Sequence, residues 1–243
     1  MKLGYSMPGM APLYEAPPYE YRGNRSINIL FRTTPETLRA LVPMELTTNP
    51  DSLLFIYIAQ FNVVAPISFS YMEAGMGVPA TFSDTAGQYA VYLYLDKAGA
   101  IVPGREIYGW PKKDAEISFI EESEGISAQV VREGVTLVDA RLHRSVRVDP
   151  IPPQPGAPWF NLKLIPSVKE NAPPDVMQLT STQMESETKE LYTGSATLKL
   201  GSSVSDPLGD IPILEILEGR YTVDDFTLGY GDVIYDYLTG SEK

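Results

Sequence analysis

Residues 115–147, AEISFIEESEGISAQVVREGVTLVDARLHRSVR, decide the fold class. Three runs carrying Ile, Val, Phe and Leu are cut by Glu124-Gly125 and Glu133-Gly134, a spacing suited to hairpins between short antiparallel strands. Ile117, Phe119 and Val130 are the expected inward positions. The pattern continues on both sides. Residues 26–32 read as a short strand, and residues 53–64 are apolar and β-rich. Residues 88–95, QYAVYLYL, are dense enough in Tyr, Val and Leu to be buried on both faces. Thr34-Pro35-Glu36 supplies an N-cap, a proline at the first helical position and an early acid. That helix should run to about Val42 and stop at Pro43.

Beyond the meander, residues 149–158 hold five prolines and read as a loop within one domain, because the strand pattern resumes at 160–165. Residues 168–190 are polar, as expected of surface turns or an exposed strand, and 195–200 alternate again. Residues 213–218 suggest a short helix after Pro212, and 221–228 and 232–238 allow strand, turn or helix. Residues 1–23, rich in Pro, Tyr and Gly, read as an extended N-terminal arm. The expectation is one mainly β domain over 1–243 with few short helices.

Composition narrows the chemistry. With 243 residues and 44% hydrophobic content the chain can bury a substantial core. A formal net charge of -12 argues against nucleic acid and anionic membranes as partners, since both require a basic face. There is no cysteine, so disulfides, thiol catalysis and Cys-metal sites are excluded. The single histidine, His143, excludes a multi-His zinc site within one chain and reads as a strand residue. The N-terminus lacks the apolar core of a signal peptide, and no segment is apolar enough to span a membrane. The expected setting is the cytoplasm.

No phosphate loop and no Gly-x-Ser-x-Gly elbow is present, and Gly75-Met76-Gly77 is too weak to support a nucleotide site. Carboxylates, lysines and tyrosines remain. In residues 103–113, PGREIYGWPKK, two lysines follow a Gly-Trp-Pro lead-in in an otherwise acidic chain. A free lysine, with a pKa of about 10.4, is neutral only about once in 2,500 at pH 7, so a nucleophilic amine needs a shift of about 3 units, or roughly 4–5 kcal/mol. A second ammonium about 6 Å away at an effective dielectric near 20 supplies only about 2.8 kcal/mol, and burial has to provide much of the rest. If the Lys112-Lys113 step is extended, the two side chains point to opposite faces. Glu73 is an acid in the long, otherwise uncharged stretch 55–81, either a solvated loop residue or a pocket acid. Arg25 matters only if it faces a buried acid or a substrate carboxylate.

These segments together resemble the acetoacetate decarboxylase family. Gly104-Arg105-Glu106 followed by Pro111-Lys112-Lys113 is similar to the family's Schiff-base motif. Residues 71–79 carry a Tyr-x-Glu-x-Gly-x-x-x-Pro pattern similar to its acid loop. Tyr94-Leu95-Asp96 and residues 162–166 and 233–238 also match, so the resemblance runs from about Arg25 to Leu238. It implies an antiparallel β cone or barrel enclosing a mostly apolar pocket, a homo-oligomer, and no metal or organic cofactor. It assigns Lys112 as the Schiff-base lysine, Glu73 as the pocket acid and Arg25 as the arginine near it. Acetoacetate decarboxylase is itself the established case of a lysine activated by a neighbouring cation, and the resemblance gives that role to Lys113.

Two positions depart from the pattern. The strand upstream of the acid loop lacks the family's second glutamate and offers Gln60, and Trp110 stands where the prototype has Tyr. The leading expectation is a lysine Schiff-base carbon–carbon lyase that decarboxylates a small β-keto acid such as acetoacetate. The alternatives are an aldolase, dehydratase or hydratase acting on a 2-oxo acid through the same imine, and a non-catalytic small-molecule binder.

Overall fold

The computed structural model describes residues 3–143, 146–152 and 156–242. Pieces of the arm, meander and proline connector (residues 1–2, 144–145 and 153–155) lie outside the described residues. The chain begins with β1 (Tyr19–Arg32), α1 (Pro35–Leu41), β2 (Thr47–Thr48), β3 (Leu53–Ala65), β4 (Phe69–Phe82) and β5 (Thr85–Leu95). Next come α2 (Ala98–Pro103), a π-turn over Gly104–Tyr108, and β6 (Lys112–Asp114). The meander is β7 (Glu116–Glu122), β8 (Gly125–Arg132), β9 (Val135–His143) and β10 (Val146–Arg147). The rest is β11 (Trp159–Ile165), β12 (Val176–Thr182), β13 (Met184–Gly194), β14 (Ala196–Leu200), β15 (Glu215–Leu228), β16 (Asp232–Asp236) and β17 (Ser241–Glu242). The chain is thus mainly β with few short helices, as the sequence predicts.

The local signals act as expected at two places. Thr34 caps α1 by accepting from the Thr37 amide. Glu133 and Gly134 take φ of 53° and 77°, the two left-handed residues of a tight hairpin turn, and Arg132 pairs with Val135 across it. Two expectations fail. The arm is shorter than 1–23, because Tyr19 already pairs with Leu228 in β1. Residues 213–218 are not a helix: Glu215–Glu218 open β15 and pair with β1, where they meet Leu30, Phe31 and Arg32. A four-residue Glu-Ile-Leu-Glu pattern fits either period, and the adjacent strand decides it.

The strands form a long sheet in the order β10-β13-β15-β1-β3-β4-β5-β11-β12-β16-β17 and a smaller one in the order β14-β9-β8-β7. The smaller sheet packs against one face of the long sheet. Ala128, Val130, Val138 and Ala140 there meet Ile27, Ile29, Leu54, Ile56 and Ile58 in one core. Ile117 and Phe119 flank that core, and Val130 is fully buried within it. On the other face of the long sheet a second, aromatic cluster joins Tyr21, Tyr57, Tyr71 and Trp110. Central strands are therefore covered on both sides. From β13 to β11 the sheet crosses six strand steps of about 4.8 Å, roughly 29 Å if flat. Residues from these strands line a single cavity of ≈ 520 Å³, so the sheet curls around it.

Candidate active site

Lys112 is delivered to this cavity by the turn that precedes it. The π-turn ends at Gly109, whose φ of 80° and whose closeness to the Lys163 backbone exclude a side chain. The Trp110 amide then bonds back to the Gly104 carbonyl at 3.0 Å, and the Arg105 guanidinium donates to the Lys112 carbonyl at 3.0 Å. Gly104 leaves the space through which the Lys112 stem passes: a β-carbon there would lie 2.5 Å from Lys112 Cδ and 2.7 Å from Cε. Gly104→Ala should displace the amine and slow reductive capture of Lys112 by a small ketone and borohydride by about 100-fold, the scale of a 1 Å misplacement. Capture at the wild-type rate would show that the stem has another path.

Within the cavity, Lys112 Nζ lies 3.0 Å from Glu73 Oε2, and both side chains are nearly buried. Glu73 sits mid-strand in β4, not in a solvated loop. Its Oε1 accepts from the Tyr57 hydroxyl at 2.5 Å. Residue type and spacing do not single out Tyr57. The signal lies in its strand partner: Gly75 pairs with Tyr57, and a β-carbon on Gly75 would sit 2.4 Å from the ring. Gly77 makes the same room for Phe55, so the Gly-Met-Gly run seats two aromatic rings. Burial first, and the Glu73 charge and hydrogen bond after it, push the Tyr57 phenol well above its ordinary value. It therefore remains a donor at working pH. Tyr71 lies beneath the amine, its ring centroid 5.8 Å from Lys112 Nζ, and burial likewise raises its phenol.

Lys113 does not join the cavity. In β6 the register sets Lys112 beside Leu93 and Lys113 beside Tyr94, so the two side chains leave opposite faces as extended backbone requires. Lys113 Nζ instead lies 2.7 Å from Oδ1 of Asp206, which is fully buried and also bonds Tyr94 (3.0 Å) and Arg132 (3.0 Å). Lys113 is thus a matched charge on the core side of the sheet, not a free ammonium beside the nucleophile. Burial alone would raise the Asp206 carboxyl. The hydrogen bonds from Lys113 and Tyr94 and the charges of Lys113 and Arg132 outweigh it and hold the carboxyl below 3.8.

Arg25 and Gln60 are brought together, away from Lys112. They are cross-strand partners, and the Arg25 guanidinium bonds Gln60 and also Glu121 on β7, the latter at 2.6 Å. Alternation explains the correction. Tyr21, Asn24, Ser26 and Asn28 of β1 line the cavity, whereas Arg25 shares the opposite side with Ile27 and Ile29. Gln60 falls on the Ile56–Ile58 face of β3 for the same reason. Trp110 does line the cavity, 7% exposed, with its ring 5.3 Å from Trp159. A second cavity of ≈ 360 Å³, walled by Tyr14, Tyr19 and Phe69, meets the first at Tyr21, Trp110 and Lys112. The amine therefore stands in a shared wall. Arm residue Tyr14 closes the second cavity and is tied by its hydroxyl to Glu106 at 2.5 Å.

A buried lysine paired to a single carboxylate, ringed by aromatics and open to cavities on both sides, is an arrangement for carbonyl chemistry on a small molecule. Comparison with known proteins places the chain in a family. The family model for acetoacetate decarboxylase matches residues 6–238. The acetoacetate decarboxylase of Burkholderia vietnamiensis is 32% identical over 238 residues, covering 96% of this chain and 95% of that one. The crystal structure of acetoacetate decarboxylase from Legionella pneumophila superposes with a TM-score of 0.82 at 27% identity, over 96% of this chain and 94% of that one. MppR, an enduracididine biosynthesis enzyme whose structure was solved in complex with the condensation product of pyruvate and imidazole 4-carboxaldehyde, shares the fold. Its TM-score is 0.85 at 19% identity, with 98% of each chain covered. No helix among the described residues is long and apolar enough to cross a membrane. The chain belongs to the acetoacetate decarboxylase family and is a decarboxylase-like enzyme of the lyase class.

Proposed function

We propose that this enzyme forms a Schiff base between Lys112 and a small keto acid and decarboxylates a β-keto acid through it. The observation that carries the reading is the 3.0 Å approach of Lys112 Nζ to Glu73 Oε2 in a nearly buried site. Glu73 is in reach to take a proton from the Lys112 ammonium, leaving the amine free to attack the ketone. Loss of water gives a protonated imine. The bond to the carboxylate then breaks, its electrons flow toward the iminium nitrogen, and CO2 leaves an enamine. A proton returned to carbon, with Glu73 as the nearby acid, and addition of water release the ketone and regenerate the amine. Tyr57 holds Glu73 by one oxygen and leaves the other facing the amine. In this reading Arg25 and Gln60 act from outside the cavity, and Lys113 orients the strand.

The second reading keeps the imine and changes its fate. Glu73 is the carboxylate within ion-pair distance of Lys112, and Gln60 faces away, so no second acid stands beside it among the described residues. A site with one acid repels an incoming carboxylate less and suits aldol, dehydration or hydration chemistry on a 2-oxo acid.

Borohydride reduction with acetoacetate and, separately, with pyruvate, followed by peptide mass analysis and a CO2 assay, tests both readings. The leading one expects an adduct on Lys112 and CO2 from acetoacetate. An adduct from pyruvate without CO2 from acetoacetate would transfer the assignment to the second reading. No adduct with any keto acid would leave only a binding protein. Tyr57→Phe removes a hydrogen bond to a charged group, about 1.5–3 kcal/mol, and should lower the trapping rate roughly 10- to 150-fold. An unchanged rate would mean that Glu73 needs no orienting partner.

A further inference from the structure

The cavity is far larger than acetoacetate requires; its ≈ 520 Å³ falls in the range of sites that hold much larger ligands. Its walls are also unlike one another. The side formed by β3 and β4 presents Phe55, Tyr57, Phe61 and Tyr71. The side formed by β1, β15 and β13 carries a row of polar side chains, largely hydrogen-bonded to one another. Asn28 Nδ2 donates to Ser26 Oγ at 3.0 Å, and the Ser26 and Thr222 hydroxyls are hydrogen-bonded at 2.9 Å. Asp224 follows Thr222 by two residues on β15, and Thr188 Oγ1 donates to Asp224 Oδ1 at 2.7 Å. All five residues line the cavity. Register fixes their place relative to the chemistry. Glu73 pairs with Ala59, Ala59 with Ser26, and Ser26 with Thr222, so the row begins two strand steps from Glu73, roughly 10 Å across the sheet.

We propose that this row is a subsite for the tail of the substrate, and that the substrate is a keto acid carrying an uncharged, hydroxylated chain. The inference rests on the Schiff-base reading for the position of the keto end. Hydroxyl and amide groups in a half-buried wall are best matched by a ligand that both donates and accepts hydrogen bonds. A distal phosphate or carboxylate fits poorly. The cation available there, Arg220, is already held by Glu218 at 2.7 Å, while Asp224 adds a carboxyl. Burial raises Asp224, with the Asp225 charge adding to it, and this outweighs the donors Thr222 and Thr188. A ligand hydroxyl directed at that carboxyl would supply the donor that water no longer can.

Calorimetric titration with ketodeoxygluconate and with α-ketohexanoate tests the subsite without needing an imine. The two probes share chain length and keto-acid head and differ in hydroxyls. Wild-type protein should bind the hydroxylated probe at least tenfold more tightly. Thr222→Val and Asp224→Asn should each weaken it about tenfold while leaving pyruvate trapping at Lys112 unchanged. Equal or tighter binding of α-ketohexanoate overturns the proposal, as does a variant that weakens both probes alike. Failure of pyruvate and acetoacetate to trap overturns the Schiff-base reading instead, and the titrations still decide the subsite.

Discussion

Lys112→Ala is expected to abolish borohydride trapping and to lower turnover by on the order of ten-thousand-fold, because among the described residues no other lysine lines the larger cavity, and Lys97 borders only the second one. Lys113→Ala is expected to do the reverse. Trapping at Lys112 should persist, since Lys113 leaves the opposite face of β6, but the protein should lose about 1–3 kcal/mol of stability as Asp206 forfeits a charged partner. The two variants, measured side by side by peptide mass analysis and thermal melting, separate nucleophile from anchor. Loss of trapping in Lys113→Ala with Lys112 still accessible would reverse the assignment.

The second large effect concerns Asp206. Removing its charge, as in Asp206→Leu, leaves Lys113 and Arg132 facing one another without an anion between them. Breaking such a buried cluster costs about 3 kcal/mol, the low end of the usual range because Lys113 is 35% exposed. The pH dependence comes from the direction of the shift. The folded-state value is depressed, so this stabilisation is complete above the ordinary 3.8 and is lost as pH falls through the lower folded value. Wild-type protein should therefore lose stability below about pH 4 more steeply than Asp206→Leu, in which that group no longer titrates. Parallel acid-unfolding curves for the two would exclude the cluster as a source of acid sensitivity.

The fold and site are legible in the sequence wherever one short pattern carries the information. The two Glu-Gly pairs mark both hairpins, and Thr34-Pro35 marks the helix start. The extended Lys-Lys step already requires opposite headings. The hidden features depend on strand pairing. Tyr57 becomes a site residue only because β3 lies beside β4 in a register that sets it over Gly75. Asp206 is distant from Lys113 in sequence and sits in a segment with no periodic signal. Arg25 and Gln60 depart from expectation for the same reason: residue type suggests a pocket, and strand parity puts them on its outer side. The arm and the 213–218 segment differ from expectation because β1 and β15 pair further along than their own propensity indicates.

The alternation at β6 also bears on how relatives of this chain should be compared. Which lysine faces the cavity is a matter of odd or even count from Pro111, not of which letters are present. A sequence with one residue inserted between Pro111 and Lys112 would retain the whole Pro-Lys-Lys signature apart from a single gap. Its first lysine would nevertheless point at the core, and the second would inherit the cavity. In this motif parity is the heritable character, and an alignment that scores identity alone cannot read it.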